Sequence, residues 1–292
     1  KNVLDKNLFK EMTGFAGWSM FGNLAGVLFN QGLNMLLNVF FGPVVNAARG
    51  VAVQVQNAVQ QFVGNFQMAL NPQITKTYAQ GDLEAMHKLM YRSAKFSFFL
   101  LFLLSLPILF ETNFILTIWL KAVPENTVCF LRIMICTSLI YTLSNPLMMA
   151  NQATGKVKRY QAICGSIQLL ILPISYISLY LGFPAYTVFV VHFTIECVTQ
   201  IVRMIMLRSM IKIRIRDYIF YIYRPVLFVV IGSLFLPYLL SLYIDGDGVF
   251  KFLMVVLCCL ISVSSFSYAL GLSARERELV CKKIKKIIYK II

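Results

Sequence analysis

Long apolar runs separated by short polar or Gly-Pro breaks dominate the sequence. They predict eight helices long enough to cross a bilayer, at about residues 14–41, 42–71, 91–110, 127–150, 160–181, 185–206, 218–243 and 249–272. About 20 residues suffice for one crossing. Two of the eight do not suit lipid on every side. The first carries Asn23, Asn30, Gln31, Asn34 and Asn38 at helical spacing on one face. The second, GPVVNAARGVAVQVQNAVQQFVGNFQMALN, holds Asn46, Arg49, Gln54, Gln56, Asn57, Gln60, Gln61, Asn65 and Gln67. Stripping water from an amide or guanidinium costs on the order of several kcal/mol each. These two helices are therefore expected to line a wet cavity.

The breaks carry their own signals. Gly42-Pro43 predicts a turn, because a proline at the first position of a helix has no N–H to lose. Asn71-Pro72 is expected to end the second span, and residues 73–92 to form a short interfacial helix capped by Asp82, with Leu83, Met86 and Met90 on one face. ILTIWL, within 111–125, is too short to cross and is expected to dip into the interface with Trp119 as anchor. Asp245 and Asp247 belong to a turn between the last two spans, and Asn145 and Pro146 fall inside the fourth. Ser273-Ala274-Arg275-Glu276 has the form of a capping box. Beyond it Val280, Ile284, Ile287, Ile288 and Ile291 alternate at helical spacing with Lys282, Lys283, Lys285, Lys286 and Lys290. That pattern predicts a basic amphipathic helix on anionic membrane lipids, with a solvated or frayed tail as the alternative.

Composition agrees with the pattern. The 292 residues are 59% hydrophobic and 13% charged, with mean hydropathy +0.73, whereas soluble domains have about 25% charged residues. The fold class is an all-α polytopic membrane protein. A net charge of +15 would suggest nucleic acid in a soluble chain, but here its placement argues otherwise. Segments 1–13, 72–95, 155–159, 203–224 and 273–292 hold 23 of the 27 Lys and Arg. With eight spans these five segments fall on one side, so both ends are expected in the cytoplasm. The seven cysteines form no C-x-x-C pair and lie mostly in apolar runs, as small core residues do. No signal peptide precedes the first span. A charged lead-in from Lys1 suggests that the chain begins within a longer protein.

Three features carry candidate chemistry. Arg49 lies near the outer end of the second span on a face with Asn46, Asn57 and Gln60. It either draws an anionic group into the cavity, or snorkels to the outer interface or caps a loop. His192, Glu196, Gln200 and Arg203 share a face of the sixth span. Glu196 is either a protonatable group coupling transport to a proton or sodium gradient, tuned by His192, or interhelical glue satisfied by Arg203 or another helix. The amides of the first two spans, including Asn30, Gln31 and Asn34, can both donate and accept, as sugar hydroxyls require; helix–helix bonding accounts for a few of them. There is no H-E-x-x-H, no Gly-rich phosphate loop and no carboxylate pair within one span, so the chain does not read as an enzyme and no cofactor is implied.

The run FGPVVNAARGVAVQVQNAVQQFVGNFQMALNPQITKTYAQGD resembles the lipid-linked oligosaccharide flippases of bacterial polysaccharide biosynthesis. These belong to the multidrug/oligosaccharidyl-lipid/polysaccharide exporter (MATE-like) superfamily. NLFKEMTGFAGWSMFG, ILTIWLKAVP and NPLMMANQATGKVKRYQ support the resemblance, which extends over most of residues 7–215. It implies two six-helix lobes, often followed by two further helices. This chain would then be a C-terminal portion: a lead-in 1–13, the second lobe at 14–210, the additional pair at 211–272 and a cytoplasmic tail at 273–292. An N-terminal lobe would be the missing partner across the cavity. The resemblance also implies a multi-pass protein of the bacterial inner membrane. It would flip undecaprenyl-pyrophosphate-linked oligosaccharide to the outer leaflet by alternating access, with Arg49 toward the pyrophosphate.

Three other functions compete. A drug or cation antiporter of the same superfamily needs an acidic cavity, and Glu196 is the main acid on offer. A membrane-embedded polymerase or glycosyltransferase needs a large outer loop rich in catalytic groups, which 111–125 is not. A non-transporting membrane scaffold is the fourth reading.

Overall fold

The computed structural model describes residues 6–243, 248–274, 276–278 and 281–282. The turn with Asp245 and Asp247 and most of the amphipathic tail, from Val280 through Ile291 apart from Cys281 and Lys282, lie outside the described residues.

The described residues are mostly helical: α1 (Lys6–Ala79), α2 (Leu83–Phe110), α3 (Thr112–Leu120), α4 (Thr127–Ala153), α5 (Val157–Leu169), α6 (Ile171–Tyr180), α7 (Thr187–Met210), α8 (Ile215–Tyr218), α9 (Arg224–Tyr243) and α10 (Val249–Phe266). Among the described residues, seven helical stretches are long and apolar enough to cross a membrane, α5 with α6 and α8 with α9 each forming one. The longest folds back on itself, so the chain makes eight passes. Gly42 is the bend, with φ 80° and ψ −177°, a left-handed φ that glycine adopts without Cβ strain. Pro43 follows with its φ already set for a new helix. Beyond the bend, Arg49 reaches Asn34 and Asn30 on the opposite arm, which a straight helix would hold more than 20 Å away at about 1.5 Å per residue.

Several boundaries differ from the sequence reading. Residues 73–92 form no separate interfacial helix. Instead α1 runs through Pro72 to Ala79, and α2 starts at Leu83 and continues across the membrane. Asp82 does cap α2, its carboxylate accepting from the Ala85 N–H at 2.9 Å. In membranes a proline bends a helix more readily than it ends one, because neighbouring groups take over the freed backbone. Two cases are explicit here. Pro146 gives the Thr142 carbonyl no N–H, and the buried Gln67 amide donates to that oxygen at 3.1 Å. Pro237 does the same to the Ser233 carbonyl, which receives the Ser262 hydroxyl at 3.0 Å. Pro173 removes the N–H facing the Leu169 carbonyl, and there the fifth pass breaks, at Leu170, into α5 and α6.

Two apolar clusters organise the bundle. One joins Leu33 and Leu37 of the α1 hairpin to Leu116, Phe130, Ile135 and Val188. The other joins the end of α1 to α2, α4, the end of α7 and the last two passes, through Ile74, Met86, Phe98, Leu143, Tyr218 and Val255. The most apolar stretches of α2 and α4 are 61% buried, against 22% for α1. α4 is thus central, and α1 is a wall with one open face. The last two passes pack closely together, the Phe266 ring lying on Gly232, where a missing Cβ permits close approach.

The carboxylate half of the capping box forms and extends further than its own helix. The Glu276 carboxylate accepts from the Ser273 N–H at 2.8 Å and from its hydroxyl at 2.9 Å. It also pairs with Lys95 of α2 at 2.6 Å, and both residues are buried.

Candidate functional site

A cavity of about 370 Å³ opens between the α1 hairpin, α4, α5 and α7. The hairpin brings the two amide stripes side by side, because each arm turns its apolar residues, such as Leu33 and Ala52, into the core. Asn30 and Asn57, both exposed, line the opening. Gln56 and Gln60 lean on α4, each donating to the Ser138 hydroxyl at 2.8 Å. Some of the amide content is therefore packing, as Gln67 at the Thr142 carbonyl also shows.

The charged centre lies on α7. Arg203 Nη1 donates to Glu196 Oε1 at 2.5 Å, and each residue is 2% exposed. The Ser144 hydroxyl of α4 donates to Gln200 Oε1 at 2.5 Å and stands 3.4 Å from the same Glu196 oxygen. Gln200 Nε2 then donates to Tyr223 Oη at 3.2 Å. Tyr223 ends a wider turn of helix, Ile219–Tyr223, of the kind that re-aims side chains within a helix. His192, one turn before Glu196, lines the cavity against the Phe29 ring at 5.0 Å between centroids. Arg203 Nε and the Tyr160 hydroxyl are buried on the cavity lining without a partner among the described residues.

The expected residues separate into two groups. Asn30, Asn57, Gln60, His192 and Glu196 come together at the cavity. Arg49, Gln31, Asn34 and Asn46 are not on its lining. Arg49 is 6% exposed and held inside the hairpin: Nη1 donates to Asn34 Oδ1, and Nη2 to the Asn30 carbonyl at 3.2 Å and side-chain oxygen at 3.3 Å. It faces the arm before it rather than the face shared with Asn57 and Gln60. The guanidinium on the cavity is Arg203. Its spacing from Glu196, two helical turns, was legible in the sequence, but Ser138, Ser144 and Tyr223 carried no signal, since each meets its partner only across a helix interface.

A family profile, MatE, matches residues 19–177, more than half the chain, from within the first arm of α1 through most of α6. The chain belongs to the MatE family. It is accordingly a multi-pass membrane transporter of the MATE superfamily. The matched region supplies three of the cavity's four walls, and α7, with Glu196 and Arg203, lies beyond it. No curated protein and no solved structure matches the chain.

Proposed function

We propose that this MatE-family chain moves an amphipathic lipid-linked oligosaccharide, carried on undecaprenyl pyrophosphate, from the inner to the outer leaflet of a bacterial cytoplasmic membrane. One observation carries the reading: the cavity is walled mainly by neutral amides and hydroxyls, and its one acid among the described residues, Glu196, is already neutralised by Arg203. Amides and hydroxyls exchange hydrogen bonds with sugar hydroxyls without a charge penalty. An organic cation would need a carboxylate free to receive it.

In this reading Asn30, Asn57 and Gln60 meet the sugars. Arg203 offers its unpaired Nε to the pyrophosphate, and Arg49 holds Asn30 and the hairpin from behind. Glu196, with His192 beside it, is the group through which a proton or sodium gradient would act. The open face of α1 then belongs against a second six-helix lobe, with residues 14–210 as the lobe described above, 211–272 as an added pair and both ends in the cytoplasm. The antiporter alternative rests on the same Glu196 carboxylate.

Translocation assays in vesicles bearing the protein separate the two. Transfer of a labelled lipid-linked oligosaccharide, reduced tenfold or more by Arg203→Gln, is the expected result. Gradient-driven uptake of an organic cation dye, abolished by Glu196→Gln and with no movement of the oligosaccharide lipid, would give the antiporter reading precedence.

A further inference from the structure

The link between α7 and α8 alternates buried and exposed residues. Ile211 and Ile213 are 0% and 2% exposed, while Lys212 and Arg214 between and after them are exposed. This in-out alternation is pinned from the neighbouring helix. His87 Nε2 lies 2.9 Å from the Ile211 carbonyl, and since a carbonyl only accepts, Nε2 carries the proton. Lys212 has φ 54°, a backbone region that costs a side-chain-bearing residue strain and that persists only where the surroundings impose it. The result is a concave surface of about 470 Å³ lined by Arg208 from the last turn of α7, Lys212, Arg214 and Arg216, over the carbon of Ile213 and Ile215. None of these four cations is in an ion pair among the described residues. Asp217, the one acid in this stretch, is not on the lining.

We propose that this pocket binds the phosphate group of an anionic lipid headgroup. Three guanidinium forks and an ammonium around one concavity match the acceptor oxygens of a phosphate, which arginine engages in pairs of parallel hydrogen bonds. The half-buried Ile215 takes the adjoining glycerol and first acyl carbons. A topology signal requires only that positive charge remain on one side of the membrane. It does not require four unpaired cations to converge on one pocket over an apolar floor, or a strained, pinned backbone to hold them there. The position, where two passes meet at the basic end of the bundle, is headgroup depth for the leaflet whose surface is anionic.

The test uses the full chain in nanodiscs of phosphatidylcholine containing a small fraction of phosphatidylglycerol, with retained lipid counted by native mass spectrometry. The variant R208Q/K212Q/R214Q/R216Q is compared with K156Q/K158Q/R159Q, which removes charge from the α4–α5 connection at the same basic end. Retention of phosphatidylglycerol falls tenfold or more in the first and stays within twofold in the second. The milder R208Q/R216Q, with an unchanged melting temperature, gives an intermediate loss. Equal losses in the two multiple variants mean diffuse surface charge and overturn the proposal, as does full retention in the first. Displacement of the lipid by millimolar inorganic phosphate overturns the lipid assignment in favour of a soluble phosphate ligand.

Discussion

Gln67 supplies, across a helix interface, the hydrogen bond that Pro146 removes from its own helix. The proline has no N–H for the Thr142 carbonyl, and the buried Gln67 amide donates to that oxygen at 3.1 Å. A buried carbonyl left without a partner costs about 1–3 kcal/mol. Gln67→Leu is therefore expected to destabilise the protein by about that amount in detergent unfolding. In a Pro146→Ala background the helix regains its own bond, and the cost of Gln67→Leu should fall by more than half. Equal costs in the two backgrounds would show that the amide serves something else.

Glu196 and Arg203 form a buried ion pair through Arg203 Nη1. Removing one partner strands a charge, for about 3–5 kcal/mol, while neutralising both is far milder. Glu196→Ala and Arg203→Ala are each expected to unfold at markedly lower temperature, and E196Q/R203Q to recover most of the loss. A double variant less stable than either single one argues against the pairing.

Tyr223 ties the seventh pass to this pair through Gln200. Tyr223→Phe removes one neutral hydrogen bond, worth about 1 kcal/mol, while keeping the ring. Because the bond joins the seventh pass to α7, Tyr223→Phe should lower the melting temperature modestly, with the protein amount in the membrane unchanged. An unchanged melting temperature in Tyr223→Phe would show that the hydroxyl does not tie the two helices.

The wet side of the hairpin can be read by thiol labelling in a cysteine-free background. Asn57→Cys and Gln60→Cys, on the cavity, are expected to react with a membrane-impermeant maleimide. Ala48→Cys, fully buried, is expected not to. Protection of residues 57 and 60 alongside 48 would mean a packed face.

The tail contact depends on pH in a defined direction. Burial raises the Glu276 pKa, but hydrogen bonds from Lys95 and Ser273 outweigh it and hold the carboxyl below its usual range. A folded-state pKa below the unfolded one gives stabilisation that is present above the unfolded value and lost as pH falls through the folded one. Hydrogen exchange at residues 273–278 should therefore speed up relative to neighbouring helices below about pH 4, where an ordinary Glu titrates. Glu276→Gln should show that faster exchange at neutral pH. A ratio to the neighbouring helices that does not change with pH in the unmutated chain counts against the Lys95–Glu276 contact.

Local features carried as far as the physics that governs them is local. The eight passes, the Gly42-Pro43 bend, the Asp82 cap and the Ser273–Glu276 box each depend on residues within a few positions of one another. One end that differed involves proline. Pro72 was expected to stop a helix that in fact continues, because whether a proline ends or only bends a membrane helix depends on what surrounds the freed carbonyl. The candidate site divided in the same way. Glu196 and Arg203 lie on one helix, and their spacing already brought them together.

Hydropathy and charge along the chain determined a multi-pass all-α protein with a polar hairpin near its start, because lipid excludes unsatisfied polar groups wherever they occur in the sequence. Only the tertiary structure decided which polar groups face the cavity and which serve packing. Arg49 went to Asn30 and Asn34, Gln67 to the carbonyl left by Pro146, and Arg203 to the cavity. Those outcomes depend on which helix lies alongside. Helical periodicity gives the face a side chain occupies, but the partner that satisfies it comes from the packing of distant segments.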